Sequence, residues 1–333
     1  AISGDGSGLL WTVDDPSLSV QAAGNVAAGD IDADGMPEVV ASRFDFNDGS
    51  VGGLVAFNHD GSLLWESDPI PTADITWWGG PSIADMDGDG SAEVVMGATV
   101  FAGATGQILA QGNAGVGNNI RATEEFFIGA LSVVADLDQD GEQEIIAGNT
   151  IYDRQGNTLW NNPDLEDGYP AIADFNGDGQ PEIVVVSVGT VRVHNQSGDV
   201  VWGPVTVPRI DDPQAFGGRL GPPTVADFDG DGVPEVGVAG LSQYVTLEID
   251  LARPGTTFDQ ARLWQVATQD QSSNITGSSV FDFDADGRVE VVYNDEQFLR
   301  VFAGPTGDVL FERENGSYTA TEYPVIADVD NDG

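Results

Sequence analysis

The sequence predicts an all-β chain: a seven-bladed β-propeller of four-stranded blades, with the last blade shared between the N- and C-terminal segments and incomplete in this chain. Three observations predict it. A nine-residue acidic loop recurs, beginning at Asp30, Asp85, Asp136, Asp174, Asp227, Asp282 and Asp328, at spacings of 55, 51, 38, 53, 55 and 46 residues. Short β-branched runs separated by turn residues fill the intervals, and no amphipathic helical period intervenes. The two chain ends read as complementary parts of one more repeat.

Each repeat has the same order. A first strand ends at the loop, as in Pro170-Ala171-Ile172-Ala173 before Asp174. A β-branched second strand follows the loop, as in Glu182-Ile183-Val184-Val185-Val186. The third strand, such as Thr190-Val191-Arg192-Val193-His194, runs into a glycine turn, such as Gln196-Ser197-Gly198. The fourth strand carries Leu-Trp or a relative: Leu64-Trp65, Leu159-Trp160, Val201-Trp202, Leu263-Trp264 and Leu310-Phe311. The repeats lie near 22–67, 80–111, 129–162, 169–203, 221–267 and 277–313, within a single domain over 1–333. Residues 1–13 read as a lone fourth strand that closes the ring. Residues 322–333 read as a first strand with a loop cut off at Gly333, so the chain is expected to be a fragment of a longer polypeptide. Ring closure removes exposed sheet edges.

Charge narrows the partners. The 55 acidic residues face 11 basic ones, all arginine, for a formal charge of −44. Such a field repels nucleic-acid phosphates and anionic membrane surfaces, and it attracts cations. Positions 1, 3, 5 and 9 of the seven loops hold 26 of the 55 acidic residues, so nearly half the acidity sits in one pattern, and the remainder is still acidic enough to suit a saline or extracellular setting. Cysteine is absent, which excludes disulfides, thiolate nucleophiles and cysteine-based zinc sites. No apolar run approaches membrane-spanning length, so no membrane insertion is expected. An extracellular or cell-surface setting suits the composition.

The loops carry carboxylates at positions 1, 3, 5 and 9 with glycine at 6. Calcium takes about six to eight hard oxygen ligands in a flexible cage, and this spacing supplies them, with the backbone carbonyl of position 7 as a further donor. The glycine permits the sharp turn, and the position-9 acid ties the next strand to the ion. The sets are Asp30, Asp32, Asp34, Met36 and Glu38; Asp85, Asp87, Asp89, Ser91 and Glu93; Asp136, Asp138, Asp140, Glu142 and Glu144. They continue with Asp174, Asn176, Asp178, Gln180 and Glu182; Asp227, Asp229, Asp231, Val233 and Glu235; Asp282, Asp284, Asp286, Arg288 and Glu290; and the partial Asp328, Asp330 and Asp332. Asn176 keeps an oxygen but loses a charge, so its loop is expected to bind more weakly. About six or seven calcium ions with a structural role are expected.

These loops, with their preceding Val/Ile-Ala-Asp strands, resemble the FG-GAP/VCBS repeat family, to which the integrin α-subunit propeller belongs. The resemblance covers nearly the whole chain. It implies a seven-bladed propeller with calcium in the loop between the first and second strands. The Phe-Gly and Gly-Ala-Pro flanks of the integrin repeats are poorly matched, so fold and metal are carried over and integrin function is not. The segment Ala104-Thr105-Gly106-Gln107-Ile108-Leu109 is also similar to the quinoprotein propeller repeat, which reflects shared blade architecture.

Ligand binding is then expected on the opposite face, where the long insertions 42–52, 68–80, 111–128, 161–169, 203–222, 266–278 and 312–323 gather. Arg43, Trp77, Trp78, Arg121, Glu124, Phe126, Tyr169, Arg209, Phe216 and Arg219 are the candidates there. Aromatics beside arginines and carboxylates suit a glycan or a protein hot spot; the plain alternative is that the aromatics plug the ring. A non-enzymatic binding or adhesion module is the expectation. The alternatives are a polysaccharide lyase or hydrolase using pairs such as Glu124/Glu125 or Asp211/Asp212, and a structural subunit of a surface layer or filament that self-assembles or acts with further domains of the same polypeptide. His59 and His194 fall near turns on the loop face, away from these candidates.

Overall fold

A computed structural model of the chain describes residues 1–3, 7–21, 24–44, 51–70, 78–118, 129–211, 219–271, 275–317 and 322–328. These residues form six four-stranded antiparallel sheets, each built from four consecutive strands. The first sheet holds β1 (Ala27–Gly29), β2 (Glu38–Phe44), β3 (Val51–Phe57) and β4 (Leu63–Glu66). The second holds β5 (Ser82–Ala84), β6 (Glu93–Met96), β7 (Thr99–Ala102) and β8 (Ile108–Gln111). The third holds β9 (Val133–Ala135), β10 (Glu144–Ala147), β11 (Thr150–Tyr152) and β12 (Thr158–Asn161). The fourth holds β13 (Tyr169–Ala173), β14 (Glu182–Ser187), β15 (Thr190–His194) and β16 (Val200–Thr206). The fifth holds β17 (Thr224–Ala226), β18 (Glu235–Gly240), β19 (Gln243–Leu247) and β20 (Arg262–Ala267). The sixth holds β21 (Ser279–Phe281), β22 (Glu290–Asn294), β23 (Phe298–Ala303) and β24 (Val309–Glu314). One helical turn, α1 (Phe258–Ala261), interrupts the fifth sheet's last connection.

The acidic loop sets the register. The residue before the loop pairs with its position-9 glutamate in every sheet: Gly29 with Glu38, Ala84 with Glu93, Ala135 with Glu144, Ala173 with Glu182, Ala226 with Glu235 and Phe281 with Glu290. A one-residue slip would turn every side chain to the wrong face, so this anchor matters. Second and third strands are covered on both faces, which is why they read as unbroken apolar runs: Val94, Val95 and Val100, or Val184, Val186, Val191 and Val193, are all buried. A β-bulge breaks each third–fourth strand pair.

Neighbouring sheets meet along their first strands, in the order β1, β5, β9, β13, β17, β21. A second set of contacts joins them farther out. Trp65 of β4 donates its indole N–H to the carbonyl of Gly103 at 2.6 Å, and a Cβ on Gly106 would overlap its ring. Trp264 repeats this on Gly304 and Gly307, and Trp160 covers Gly198. The fourth-strand tryptophans Trp65, Trp160 and Trp264 are therefore keystones between sheets. Trp65, Trp202 and Trp264 are buried, whereas Trp160 is only half-buried, with its ring on His194.

The chain ends differ from the expected strands. The described residues among 1–13 join none of the six sheets; Ile2 bridges Leu9, so the segment folds back on itself. Trp11 nonetheless makes the keystone contact, donating to the carbonyl of His59 at 2.8 Å and covering Gly61. Residues 322–328 carry no assigned strand. They still lie beside the sixth sheet, with the amide of Gly277 donating to Glu322 and the hydroxyl of Ser279 donating to Pro324.

Candidate metal centres

The six complete loops share one hydrogen-bond plan. The position-1 aspartate accepts the backbone N–H groups of positions 5 and 6, one on each oxygen: Asp30 from Asp34 at 3.1 Å and Gly35 at 3.0 Å, and Asp227 from Asp231 at 3.1 Å and Gly232 at 2.9 Å. Asp85, Asp136, Asp174 and Asp282 do the same. The position-9 glutamate turns one oxygen back onto the N–H of position 2, as Glu235 does with Phe228 at 2.7 Å and Glu144 with Leu137 at 2.8 Å. The position-5 aspartate accepts the N–H of position 7, at Met36, Ser91, Glu142, Gln180, Val233 and Arg288. What position 7 retains for a cation is its carbonyl.

This plan draws acidic oxygens together. One oxygen from each of Asp227, Asp229, Asp231 and Glu235 lies within 4.8 Å of the others, and so do those of Asp30/Asp32/Glu38, Asp85/Asp87/Glu93 and Asp136/Asp138/Glu144. Burial raises the pKa of Glu38, Glu93, Glu144, Glu182 and Glu235, and the neighbouring aspartates add to the rise. Glu235 is pushed up to about 7. Glu38 is fully enclosed, and its Oε1 has no hydrogen-bond partner. A buried carboxylate oxygen with no donor carries a large desolvation penalty. A hard divalent cation relieves both the penalty and the repulsion, so the donor set fits such an ion. The fourth loop differs: Asn176 donates its amide to Glu182 Oε1 at 2.8 Å, closing the oxygen that a cation would use. Asp330 and Asp332 of the partial loop lie outside the described residues, at whose edge Asp328 sits.

The sequence pattern misses two features of the loops. Position 4 is left-handed in all six, with φ of 62° at Ala33, 63° at Gln139 and 58° at Ala285, and glycine at positions 88, 177 and 230. The neighbouring turns also reach over the loops. Arg154 bridges Glu142 of its own loop at 3.2 Å and Asp87 of the second sheet at 3.0 Å. A long-range contact of this kind has no signature along the chain.

At the opposite end the expected ligand residues separate. Tyr169 is buried, 0% exposed, in a cluster with Ile275, and half-buried Trp78 and Leu131 pack against it; Tyr169 therefore belongs to the core and not to an accessible surface. Arg43 pairs with Glu66 at 2.7 Å, and Arg209 forks onto Asp211 at 2.8 and 2.7 Å. Asp211, the first of the expected Asp211/Asp212 pair, is the partner of this arginine, and Asp212 lies outside the described residues. Arg219 is half-buried. Trp77, Arg121, Glu124, Phe126 and Phe216 lie outside the described residues. Asp167 was not anticipated: its carboxylate accepts the backbone N–H groups of Val116, Asn118, Asn149 and Gly168, clasping the long connection after β8.

Three solved structures illustrate the similarity. The biofilm matrix protein Bap1 of V. cholerae is 17% identical, with a TM-score of 0.50 over 96% of this chain and 85% of its own. BBS1N, solved in complex with ARL6DN, is 10% identical, with a TM-score of 0.50 over 90% of this chain and 85% of its own. The exotype rhamnogalacturonan lyase YesX is 16% identical, with a TM-score of 0.47 over 90% of this chain and 67% of its own. At these identities the first two speak for the fold alone. No curated protein sequence matches the chain. No helix among the described residues is long and apolar enough to cross a membrane. The FG-GAP-like repeat family matches residues 174–238, a span that contains the fourth and fifth acidic loops, which is consistent with repeats of the FG-GAP/VCBS type there.

Proposed function

We propose that the chain is a secreted, calcium-stabilised seven-bladed propeller that serves as a binding or adhesion module for a glycan or protein ligand. One observation carries the binding reading: the two ends of the sheets are built differently. One end holds the short acidic loops and tight glycine turns. At the other, each fourth strand leaves for the next sheet, and the sequence between β4 and β5, β8 and β9, β16 and β17, and β20 and β21 is longer than any acidic loop. Long connections on a rigid scaffold are where recognition concentrates. Arg43 and Arg209, oriented there by Glu66 and Asp211, are pre-organised donors for an anionic or polyhydroxylated partner.

A seventh blade is supported by the sixth sheet. Phe283, 52% exposed, stands at the loop position where Met86 and Phe228 are buried, and Phe311, 47% exposed, stands where Trp65 and Trp264 are buried. That outer face is built to be covered, and Trp11 occupies the keystone place of a preceding blade on the first sheet.

The test is a glycan-array screen with and without calcium, followed by binding measurements on Trp77→Ala and Arg209→Ala. Saturable binding weakened by these variants, with melting unchanged, supports the reading. Turnover of an acidic polysaccharide by the purified chain overturns the non-enzymatic assignment.

A further inference from the structure

His59 stands over the first acidic loop. One of its ring nitrogens and one carboxylate oxygen each from Asp34 and Glu38 lie within 4.8 Å of one another. Glu38 is 0% exposed; its Oε2 accepts the N–H of Ile31, while its Oε1 is enclosed without a partner. Two donors on one zinc-class ion, at bond lengths near 2.1 Å, stand at most about 4.2 Å apart. A small contraction therefore brings all three groups onto a single ion.

The turn that carries His59 is fixed. Gly61 closes it at φ 84°, the amide of Asn58 donates to Ser62, and Trp11 holds the carbonyl of His59 itself. His59 sits two residues before the turn glycine. The same place is taken by Ala104 before Gly106, Arg154 before Gly156, Gln196 before Gly198 and Pro305 before Gly307. Arg154 uses it to reach two acidic loops, and Gln196 uses it to donate to the carbonyl of Pro181. The position thus overlooks the loop face, and in the first sheet it presents a metal-ligating nitrogen.

We propose that Asp34, Glu38 and His59 form a mixed carboxylate–imidazole site that takes a zinc-class divalent ion (Zn2+, Co2+ or Ni2+) in preference to calcium. The proposal rests on the reading of the acidic loops as cation sites. Calcium prefers oxygen donors throughout, whereas imidazole favours the later first-row ions. Among the described residues, the loop side chains of the other five sheets offer oxygen donors at positions 1, 3, 5 and 9.

The protein is well suited to a direct test. It has no cysteine, and its second histidine is engaged: His194 Nε2 accepts from Arg192 at 2.8 Å and Nδ1 faces Gly198 O at 3.1 Å. Burial and the Arg192 charge push the His194 pKa down to about 4. Tag-free protein, stripped of metal and then saturated with calcium, is titrated with Co2+ while visible absorption is followed. Calorimetric melting is recorded in parallel with calcium alone. The expected result is one equivalent of cobalt with a nitrogen-ligand spectrum, and at least tenfold weaker cobalt binding in His59→Ala and His59→Gln with the calcium-induced rise in Tm intact. Cobalt binding that is equal in wild type and variants, or that calcium displaces at equal concentration, overturns the site. A calcium-insensitive Tm with His59-dependent cobalt binding keeps this site and removes the calcium reading of the other loops.

Discussion

Trp11 covers Gly61 and donates its indole N–H to the carbonyl beside it, so the first sheet receives from a segment outside every sheet the same contact that the second receives from Trp65. Trp11 also packs on Phe57, with ring centroids 6.4 Å apart. Trp11→Ala removes ring and bond together and is expected to destabilise by about 2–3 kcal/mol. Trp11→Phe keeps most of the contact and loses the bond, for about 1 kcal/mol. Gly61→Ala is expected to be as harmful as Trp11→Ala, because the new Cβ would sit 2.7 Å from the indole at a φ of 84°. Urea unfolding midpoints give all three values, and a Trp11→Ala midpoint equal to wild type would show that the segment merely rests on the surface.

The left-handed fourth position of the loops makes a finer prediction. Ala33 and Ala285 hold a conformation that disfavours any Cβ, by roughly 1–2 kcal/mol, partly offset by the larger unfolded-state entropy of glycine. Ala33→Gly and Ala285→Gly are expected to stabilise by about 0.5 kcal/mol. Gln139→Gly is expected to gain nothing, since Gln139 donates to Gly179 of the next sheet at 2.7 Å and that bond is lost. Chemical denaturation of the three variants separates the cases.

The loops and the strands around them were legible because both are local. A carboxylate at alternate positions, glycine at 6 and a β-branched run after position 9 specify one turn and one register, and the six sheets follow from repetition. The sheet-to-sheet contacts were not legible. Nothing in Leu-Trp says that the indole reaches a carbonyl some forty residues on, or that Arg154 spans two loops. Tyr169 misled because it ends a long insertion in the sequence, whereas in the structure it opens β13 and packs with Ile275, Trp78 and Leu131. His59 was placed near the acidic loops by its turn, but its nearness to Asp34 and Glu38 arises only once β3 and β4 pair beside β1 and β2.

The fourth loop offers a gain of function. Asn176 satisfies Glu182 Oε1 with an amide where the other loops place a carboxylate. Asn176→Asp restores the charge and frees that oxygen. With the loops acting as calcium sites, the variant is expected to bind the ion at this loop about tenfold more tightly and to melt lower than wild type when calcium is withheld, since one more like charge joins the cluster. Isothermal titration with calcium, compared with melting in calcium-free buffer, reads both effects. An increase in metal-free stability would contradict the repulsion argument.

The same repulsion gives the metal-free protein a defined pH dependence. Burial, and then the aspartates around them, raise the folded-state pKa values of Glu38, Glu93, Glu144, Glu182 and Glu235, with Glu235 reaching about 7. An acid whose folded pKa exceeds its unfolded value binds protons more tightly when folded, so stability falls as pH rises between the two. The metal-free chain is therefore expected to melt highest near pH 5 and to lose Tm steadily up to about pH 7.5. The stabilisation added by calcium should grow over that window, because the ion binds the ionised form. Glu235→Gln should flatten part of the metal-free slope while abolishing calcium binding at the fifth loop, which separates this glutamate from the general repulsion of a chain with a formal charge of −44. Melting curves at half-unit pH steps in metal-depleted buffer check the sign, and a Tm that rises from pH 5 to 7.5 without metal would refute the electrostatic account of the loops.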